Sequence, residues 1–430
     1  MKRMASKWNV LILCGFVCLI RVALLLIKPE IGDPLKMDAL AYNRIADHII
    51  HGDGFVQWET PTVFVAPLYP YFLAGLYQLF GVKYLLAKLV QILLAGFTAW
   101  ILFQIARRLF SETVGYITLV LFAVHPALVA IPAFLYTETL NILLLCAAVF
   151  YLVQAVQKPF KRSDWAFAGF FLGLSTLVKG TTMMFPFLLL AAICCMPKLR
   201  GLWKRWSLFF LIFGLVMTPW TIRNYIQFKV FLPVATGSGE VLWTGNYLPF
   251  DGEYRYLETQ NKISELAGGK PLIERDRILA NEAKRMMLEH PGQTAILMLK
   301  KLYRFWFFVY RNVPTGDNRP FNFLMTAGLI SFHLMILLAA VVGMIKTQWQ
   351  RPASWIPILL FIYYTLIHTL TLAVPRHRIP LIPFILVFSA FGFHFLLSKA
   401  VNLSPDLSDA KGNDVEFDVQ EKSHPPHFSD

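Results

Sequence analysis

The chain has 430 residues, of which 57% are hydrophobic, 15% aromatic and only 15% charged. Soluble globular domains carry about 25% charged residues, so this composition excludes an ordinary soluble domain. Apolar runs of about 20 residues recur along the chain, and this is the length that crosses a bilayer core. Most of the net charge of +14 lies in short clusters beside these runs. The charge therefore indicates membrane topology and anion handling rather than nucleic-acid binding.

The first apolar segment predicts a membrane anchor. Lys2, Arg3 and Lys7 precede an apolar run that extends to about Ile27. A cleavable signal peptide has a shorter apolar core and a small-residue cleavage site, and neither is evident here. We therefore expect a retained span over about 9–27, with the basic N-terminus in the cytoplasm.

The loop over about 28–66 predicts a helix along the outer membrane surface. Between residues 37 and 50, apolar side chains recur at helical spacing on one side, which is typical of an interfacial helix. The apolar stretch at 67–80 is short, and we interpret it as an outer-face or re-entrant helix. As a full span it would place the basic cluster at 198–205 outside, against the positive-inside bias.

The other apolar segments can be threaded so that four basic clusters lie in the cytoplasm. The predicted spans cover 84–109, 113–131, 139–157, 164–178, 182–196, 206–222, 322–345, 354–372 and 380–397. Together with the first span they predict an all-α polytopic membrane protein, a bundle of about ten transmembrane helices.

Two polar parts complete this organisation. An extracytoplasmic segment covers about 226–320, and within it the apolar but basic stretch 296–312 is expected on the outer surface. The polar tail at 398–430 is expected to be disordered in the cytoplasm. Residues 1–397 then form a single membrane domain.

This threading gathers the unusual ionisable residues at the outer membrane boundary. Such groups are costly near lipid and usually functional. The candidates are Asp38, Glu138, Lys179, Arg223, Arg376 and Arg378. Their convergence predicts an active site at the membrane surface that takes a lipid-borne, anionic substrate.

The two acids each have a functional and a structural interpretation. Asp38 can take a proton from an acceptor hydroxyl or amine, or it is a solvated loop acid at a helix N-terminus. Asp47 and Asp53, nearby, are expected to be solvated. Glu138 can bind a substrate, or it is an acid in the first turn of a span, where the helix dipole favours it.

The basic residues also leave two interpretations open. Lys179 can pair with a phosphate, or its side chain can extend to lipid headgroups. Arg223, Arg376 and Arg378 lie at an outer boundary, where topology does not explain them. Guanidinium groups hold phosphate bidentately, so these arginines fit a polyprenyl phosphate head, although ordinary anionic lipid would bind similarly.

At these residues the chain resembles the GT-C membrane glycosyltransferases, in particular the family 39-like group of protein O-mannosyltransferases and the lipid A aminoarabinose transferase. The stretches that carry the resemblance are Asp38-Ala39-Leu40-Ala41-Tyr42 with Gly52-Asp53-Gly54-Phe55 and Ala66-Pro67-Leu68-Tyr69-Pro70, then Thr137-Glu138-Thr139-Leu140, then Thr218-Pro219-Trp220-Thr221-Ile222-Arg223-Asn224-Tyr225 with Gly245-Asn246, and finally Arg376-His377-Arg378-Ile379-Pro380. Their order and spacing cover about 8–397.

The resemblance implies a GT-C-like bundle whose catalytic acid, in the first extracytoplasmic loop, is Asp38. Tyr42 and Tyr69, in the same stretches, are substrate-binding candidates. The mannosyltransferases commonly have an acidic pair where this chain has Ala39, so a divalent metal is left open and no cofactor is assigned. Many relatives have arginine at this position. Lys179 keeps the positive charge but cannot hold a phosphate bidentately, as a guanidinium does.

The expected function is sugar transfer from a polyprenyl-phosphate donor at the outer face of a bacterial cytoplasmic membrane. Asp38 would act as general base, with inversion at the anomeric carbon, and the acceptor would be a lipid, glycan or protein. One alternative is a flippase or transporter of lipid-linked sugars, which should show charges deep in its spans; the spans read as nearly free of charge. Another is a glycan polymerase or ligase with a lipid-diphosphate donor.

Overall fold

The computed structural model describes residues 2–57, 60–157, 161–308 and 319–400. The chain folds into helices joined by short turns. They are α1 Lys2–Ile27, α2 Met37–His51, α3 Leu68–Phe80, α4 Tyr84–Leu109, α5 Glu112–Val124, α6 Pro126–Ala130, α7 Glu138–Gln157, α8 Arg162–Val178, α9 Phe185–Cys195, α10 Trp203–Phe228, α11 Ser238–Asn246, α12 Tyr256–Ala267, α13 Leu272–Glu289, α14 Pro291–Phe307, α15 Arg319–Lys346, α16 Trp355–Leu370 and α17 Ile382–Ala400. A small antiparallel hairpin pairs β1 Val56–Gln57 with β2 Thr60–Pro61, and Val56 lies opposite Pro61. The predicted tail at 398–430 lies almost wholly outside the described residues.

The predicted all-α polytopic membrane fold is confirmed. Within the described ranges, 7 helices are long and apolar enough to cross a membrane, or 8 if the bent pair α5 and α6 counts as one span. The predicted number was about ten. The difference lies in α8, which has 17 residues, and in the apolar segment Gly180–Cys195. A helix of 17 residues is about 25 Å long, short of a bilayer core of about 30 Å.

Helices form at the positions that the apolar pattern predicted outside the long spans. The predicted surface helix is α2, and the short apolar stretch is α3, with 13 residues. The mid-chain segment contains α11 to α14, and a small separate core of Trp243, Ile263, Leu279 and Ala283 holds its first three helices together.

A proline breaks the third predicted span, and a buried arginine compensates for the break. The α5 and α6 axes meet at 65° around Pro126. Proline has no N–H, so the carbonyl of Phe122, four residues earlier, lacks its helical donor. Arg21 of α1 is 1% exposed, and its Nη2 donates to Phe122 O at 3.2 Å. The prediction that the spans are nearly free of charge is therefore wrong at Arg21, because this charge supplies a donor to a broken helix.

Close packing at the end of the chain fixes the last span. On α15 and α17, a Cβ added at Gly343 would overlap the Phe388 carbonyl, and one at Gly392 would overlap the Ala339 carbonyl. Small residues allow two membrane helices to approach this closely. The 3₁₀ turn Pro375–Leu381 leads directly into this closely packed helix.

We predict the sidedness of this bundle. Cysteine placed at Lys179 or Glu265 should react with an impermeant thiol reagent in intact cells, and cysteine at Lys204 should not, because basic clusters stay inside. The background should lack the five native cysteines. Labelling of position 204 from outside intact cells would contradict the topology and the outer location of the site.

Candidate active site

Arg376 is the centre of the candidate site. It lies on the 3₁₀ turn Pro375–Leu381, just before α17. Its Nε donates to Glu138 Oε1 at 2.7 Å and its Nη2 to Glu138 Oε2 at 3.0 Å, which is a bidentate pair. Its Nη1 donates to Asp38 Oδ2 at 2.6 Å. One guanidinium therefore connects the last span to α7 and to the surface helix α2.

Lys179 completes a group of four ionisable residues, which we call the acid–base cluster: Asp38, Glu138, Lys179 and Arg376. Lys179 caps the C-terminus of α8, and its Nζ lies 3.2 Å from Glu138 Oε1. The structure thus brings together four of the residues that the sequence selected. With two acids and two bases, the cluster carries no net formal charge.

Burial explains the pairing inside the cluster. The Glu138 side chain is 0% exposed, and an unpaired carboxylate there would lose several kcal/mol of hydration. Lys179 and Arg376 compensate that charge, and the Arg376 guanidinium also lies 4.1 Å from the centre of the Tyr136 ring. The fork expected to hold phosphate is therefore occupied by Glu138, which leaves Arg376 with two N–H groups that the cluster does not use.

Asp38 is the accessible acid of the cluster. It lies in the first turn of α2, where the helix dipole favours an acid. Its side chain is 50% exposed, and Arg376 holds only its Oδ2 oxygen. Within the described part of the chain, Oδ1 has no hydrogen-bond partner. This arrangement orients the carboxylate and leaves one oxygen free to accept a proton.

Tyr42, which is half-buried, and Tyr69, which is buried, lie beside the cluster as an aromatic pair. Tyr42 is one helical turn after Asp38, and its ring meets Tyr69 edge-on at 5.1 Å. Burial, and then the negative charge of Asp38, raises the pKa of the Tyr42 hydroxyl, so it stays protonated. Tyr69 is 0% exposed and donates to Gln91 Oε1 at 2.8 Å. Tyr69 therefore supports Tyr42 from behind, and a direct substrate contact for either residue stays a prediction.

Gln91 was not selected from the sequence. Its Nε2 donates to Pro132 O at 3.0 Å and to Phe134 O at 2.8 Å, which fixes the chain just before Glu138. The only signal was a polar residue inside an apolar span, and that pattern does not show which partner it meets.

Arg223 lies apart from the four charged residues of the cluster. Its Nη1 donates to Thr62 O at 3.1 Å and its Nη2 to Phe55 O at 3.3 Å. Its guanidinium also lies 4.7 Å from the centre of the Trp220 ring. These contacts hold the hairpin loop against α10, so Arg223 has a structural role here. Phosphate binding by Arg223 stays a prediction.

Arg378 is similarly engaged with backbone. It is 3% exposed, and it donates through Nη1 to Phe305 O and through Nη2 to Phe308 O at 2.7 Å. Its Nε has no partner among the described residues. The alternation in Arg376-His377-Arg378 thus directs one arginine to the acids and the other to α14.

An apolar groove of about 1250 Å³ reaches the cluster. Its apolar part is lined by α1, by the break between α5 and α6, and by α15. Its polar end includes Lys28, Glu30, Asp33 and Lys36, of which Lys36 pairs with Asp33 at 3.1 Å, together with Met37, Tyr136 and Arg378. Met37 precedes Asp38 and Tyr136 lies under Arg376, so the groove ends beside the acid–base cluster. A lipid with a charged head matches this combination of lining groups.

Within the described residues, no group of three or more His, Cys, Asp or Glu side chains is placed to hold a metal ion.

Comparisons with known proteins agree with this architecture. Residues 64–222, somewhat more than a third of the chain, match a family model described as dolichyl-phosphate-mannose-protein mannosyltransferase. The matched range contains Glu138 and Lys179 but not Asp38 or Arg376. No match was found among curated protein sequences.

The solved structures to which this chain is similar include an archaeal oligosaccharyltransferase and ArnT. AglB from Archaeoglobus fulgidus, in complex with an inhibitory peptide and a dolichol-phosphate, has a TM-score of 0.58 and 13% identity, over 95% of this chain and 52% of its own. The same archaeal enzyme in its apo form has a TM-score of 0.57 and 14% identity, over 94% and 52%. ArnT from Cupriavidus metallidurans, bound to undecaprenyl phosphate, has a TM-score of 0.47 and 15% identity, over 94% of this chain and 82% of its own.

The fold is therefore that of the GT-C membrane glycosyltransferases, and the resemblance predicted from the sequence is confirmed. The chain spans about half the length of the archaeal oligosaccharyltransferase.

We predict that the two acids differ in their effect on stability. Glu138→Gln removes a buried charge from between two cations, so the free energy of unfolding should fall by about 3 kcal/mol. Asp38→Asn, at a half-exposed position, should cost about 1 kcal/mol or less. Unfolding in mild detergent, followed by tryptophan fluorescence, measures both. Equal losses would contradict the central place of Glu138.

Proposed function

We propose that the protein transfers a sugar from a polyprenyl-phosphate donor to an acceptor at the extracytoplasmic membrane face. The observation that carries this proposal is the position of Asp38, a half-exposed carboxylate fixed by Arg376 at the polar end of an apolar groove. The GT-C fold and the match to a dolichyl-phosphate-mannose-dependent family support it.

Asp38 is the proposed general base. Its free Oδ1 would accept the proton of the acceptor as the acceptor attacks the anomeric carbon. Because Arg376 holds the other oxygen, the carboxylate does not need to reorganise during the reaction, which favours proton transfer. One direct displacement inverts the configuration at that carbon.

The lipid would lie in the apolar groove with its phosphate at the polar end. The charge on that phosphate grows as the glycosidic bond breaks, and cations already in place stabilise it. Lys28 lines that end, together with Lys36, which pairs with Asp33, and Lys179 and Arg376 lie in the adjoining cluster. The archaeal oligosaccharyltransferase with this fold was solved with dolichol-phosphate, which supports a lipid phosphate as ligand.

A second function is favoured by the same structural neighbour. AglB is an oligosaccharyltransferase, so a ligase that moves a whole glycan from a lipid diphosphate fits the fold as well. Parallel reactions with a monosaccharide on polyprenyl monophosphate and an oligosaccharide on polyprenyl diphosphate separate the two functions. Transfer from the diphosphate donor alone would favour the ligase.

We predict that Asp38→Asn abolishes transfer but spares donor binding. The change keeps size and hydrogen bonding and removes the base, so the rate should fall by about 100-fold or more. Transfer from radiolabelled polyprenyl-phosphate sugars in proteoliposomes measures it.

Two acids in the same loop provide matched controls. Asp47→Asn and Asp53→Asn should cost far less, because these acids pair locally with His51 and His48. The loss of transfer rate in Glu138→Gln should lie between the small losses in these two variants and the large loss in Asp38→Asn. Near-normal transfer by the Asp38→Asn protein would contradict the catalytic assignment.

Measurements of donor affinity test whether Arg376 and Arg223 bind the phosphate. Arg376→Lys keeps the charge but cannot make the bidentate pair with Glu138 and the bond to Asp38 together, so donor binding should weaken by about tenfold. Arg223→Ala should act in the same direction if it holds phosphate. Effects on one phosphate should be non-additive in the double variant. Unchanged affinity in both single variants would rule out phosphate binding by these arginines.

A further inference from the structure

The loop that carries Arg376 is held at its first end by a buried lysine from another helix. Lys301 of α14 is 0% exposed, and its Nζ donates to Thr371 O at 3.0 Å and to Leu370 O at 3.4 Å. These carbonyls end α16, and the last carbonyls of a helix lack donors within it. Nζ also donates to Asn246 Oδ1 of α11 at 2.9 Å. Lys301 therefore caps α16 from outside and links three elements.

At the other end of the loop the roles are exchanged: the donor is on the loop and the acceptors are on α14. Arg378 donates to the carbonyls of Phe305 and Phe308, at the C-terminal end of α14. The α14 helix thus gives a donor to the end of α16, and the segment after α16 gives a donor to the end of α14. We call this pair of contacts the reciprocal cap, and Arg376 lies between its two contact points.

Packing around the reciprocal cap leaves the loop little freedom. The Phe305 ring stacks on His368 at 5.4 Å, and His377 Nδ1 lies 3.0 Å from Leu372 O. On the α11 side, a Cβ added at Gly245 would overlap the Thr371 carbonyl. Two backbones therefore touch at the point where Lys301 donates.

We propose that Lys301 is a positioning residue, which fixes the loop 371–378 so that Arg376 holds Asp38 in place. This inference rests on the proposed function for its effect on catalysis, but the contacts themselves do not depend on it.

The chemistry of Lys301 suits a donor role rather than an ion pair. No carboxylate among the described residues lies within ion-pair distance of it. Burial, and then the positive charge of Arg304, lowers the pKa of Lys301 to about 7. The three acceptors around Nζ, Asn246 Oδ1, Leu370 O and Thr371 O, match the three N–H groups of an ammonium. Lys301→Met removes all three donors and keeps a side chain of similar length.

The test compares Lys301→Met with Lys300→Met in the full-length protein. Lys300, the neighbouring residue, is 51% exposed and pairs with Asp251 at 2.9 Å, so it controls for loss of a lysine on α14. Backbone hydrogen exchange in residues 371–378 should rise about tenfold in Lys301→Met, while α7 should keep its protection. Lys300→Met should leave both segments unchanged.

Kinetics then separate positioning from general damage. Because Asp38 would lose its orientation and Arg376 its place beside the donor phosphate, Lys301→Met should lower kcat about tenfold or more and raise the KM for the polyprenyl-phosphate sugar, whereas Lys300→Met should change neither. Lys301→Gln, which keeps an N–H donor, should recover part of both losses. If the Lys301→Met protein does not fold, Lys301→Gln takes its place in the comparison with Lys300→Met.

The outcomes can be told apart. Unchanged exchange at 371–378 in Lys301→Met would overturn the reciprocal cap. Raised exchange with unchanged kcat would overturn the positioning role. If the wild-type protein transfers no sugar from any polyprenyl-linked donor, the proposed function fails, and the exchange result alone decides whether Lys301 fixes the loop.

Discussion

The site depends on one buried ion pair, between Glu138 and Arg376. A carboxylate with no solvent exposure at the start of a membrane helix must be compensated, and the compensating cations come from the ends of two other segments. This requirement brings the turn before α17 and the end of α8 to the first turn of α7. The remaining Nη1 of Arg376 then reaches Asp38, so the proposed base is oriented by a group whose own position is fixed by burial.

The same pairing limits how the site can bind an anion. Two acids offset two bases in the cluster, so a phosphate does not meet a strong net positive charge there. Apolar contacts along the groove would supply most of the affinity, and the cations at its polar end would select a charged head. This arrangement suits a ligand that must be held as substrate and released as product.

Several basic residues in this chain act on backbone carbonyls rather than on anions. Arg21 donates beside a proline break, Lys301 at the end of α16, and Arg378 at the end of α14. Within or near a membrane, a carbonyl without a donor is costly, and water is not available to replace it. A long cationic side chain from a neighbouring helix solves this problem.

Much of the fold could be predicted from the sequence, because hydropathy and positive charge are read segment by segment. The span at 84–109 was predicted with the bounds that the structure has, and α2 and α3 lie in the predicted places. The meeting of Asp38 with Glu138 followed from placing both at one membrane face. What could not be predicted were the partners of each cation. Side-chain direction decides them: Arg376 and Arg378 are two residues apart on a 3₁₀ turn and face different neighbours, and nothing in the local pattern reports this.

The central claim is a single displacement with Asp38 as base, and the stereochemistry of the product tests it most directly. A polyprenyl-phosphate sugar of known anomeric configuration should be supplied, and the first-formed product examined by NMR from the anomeric proton couplings. The account predicts inversion of configuration. Retention would exclude a single displacement from the opposite face, and it would contradict the role assigned to Asp38.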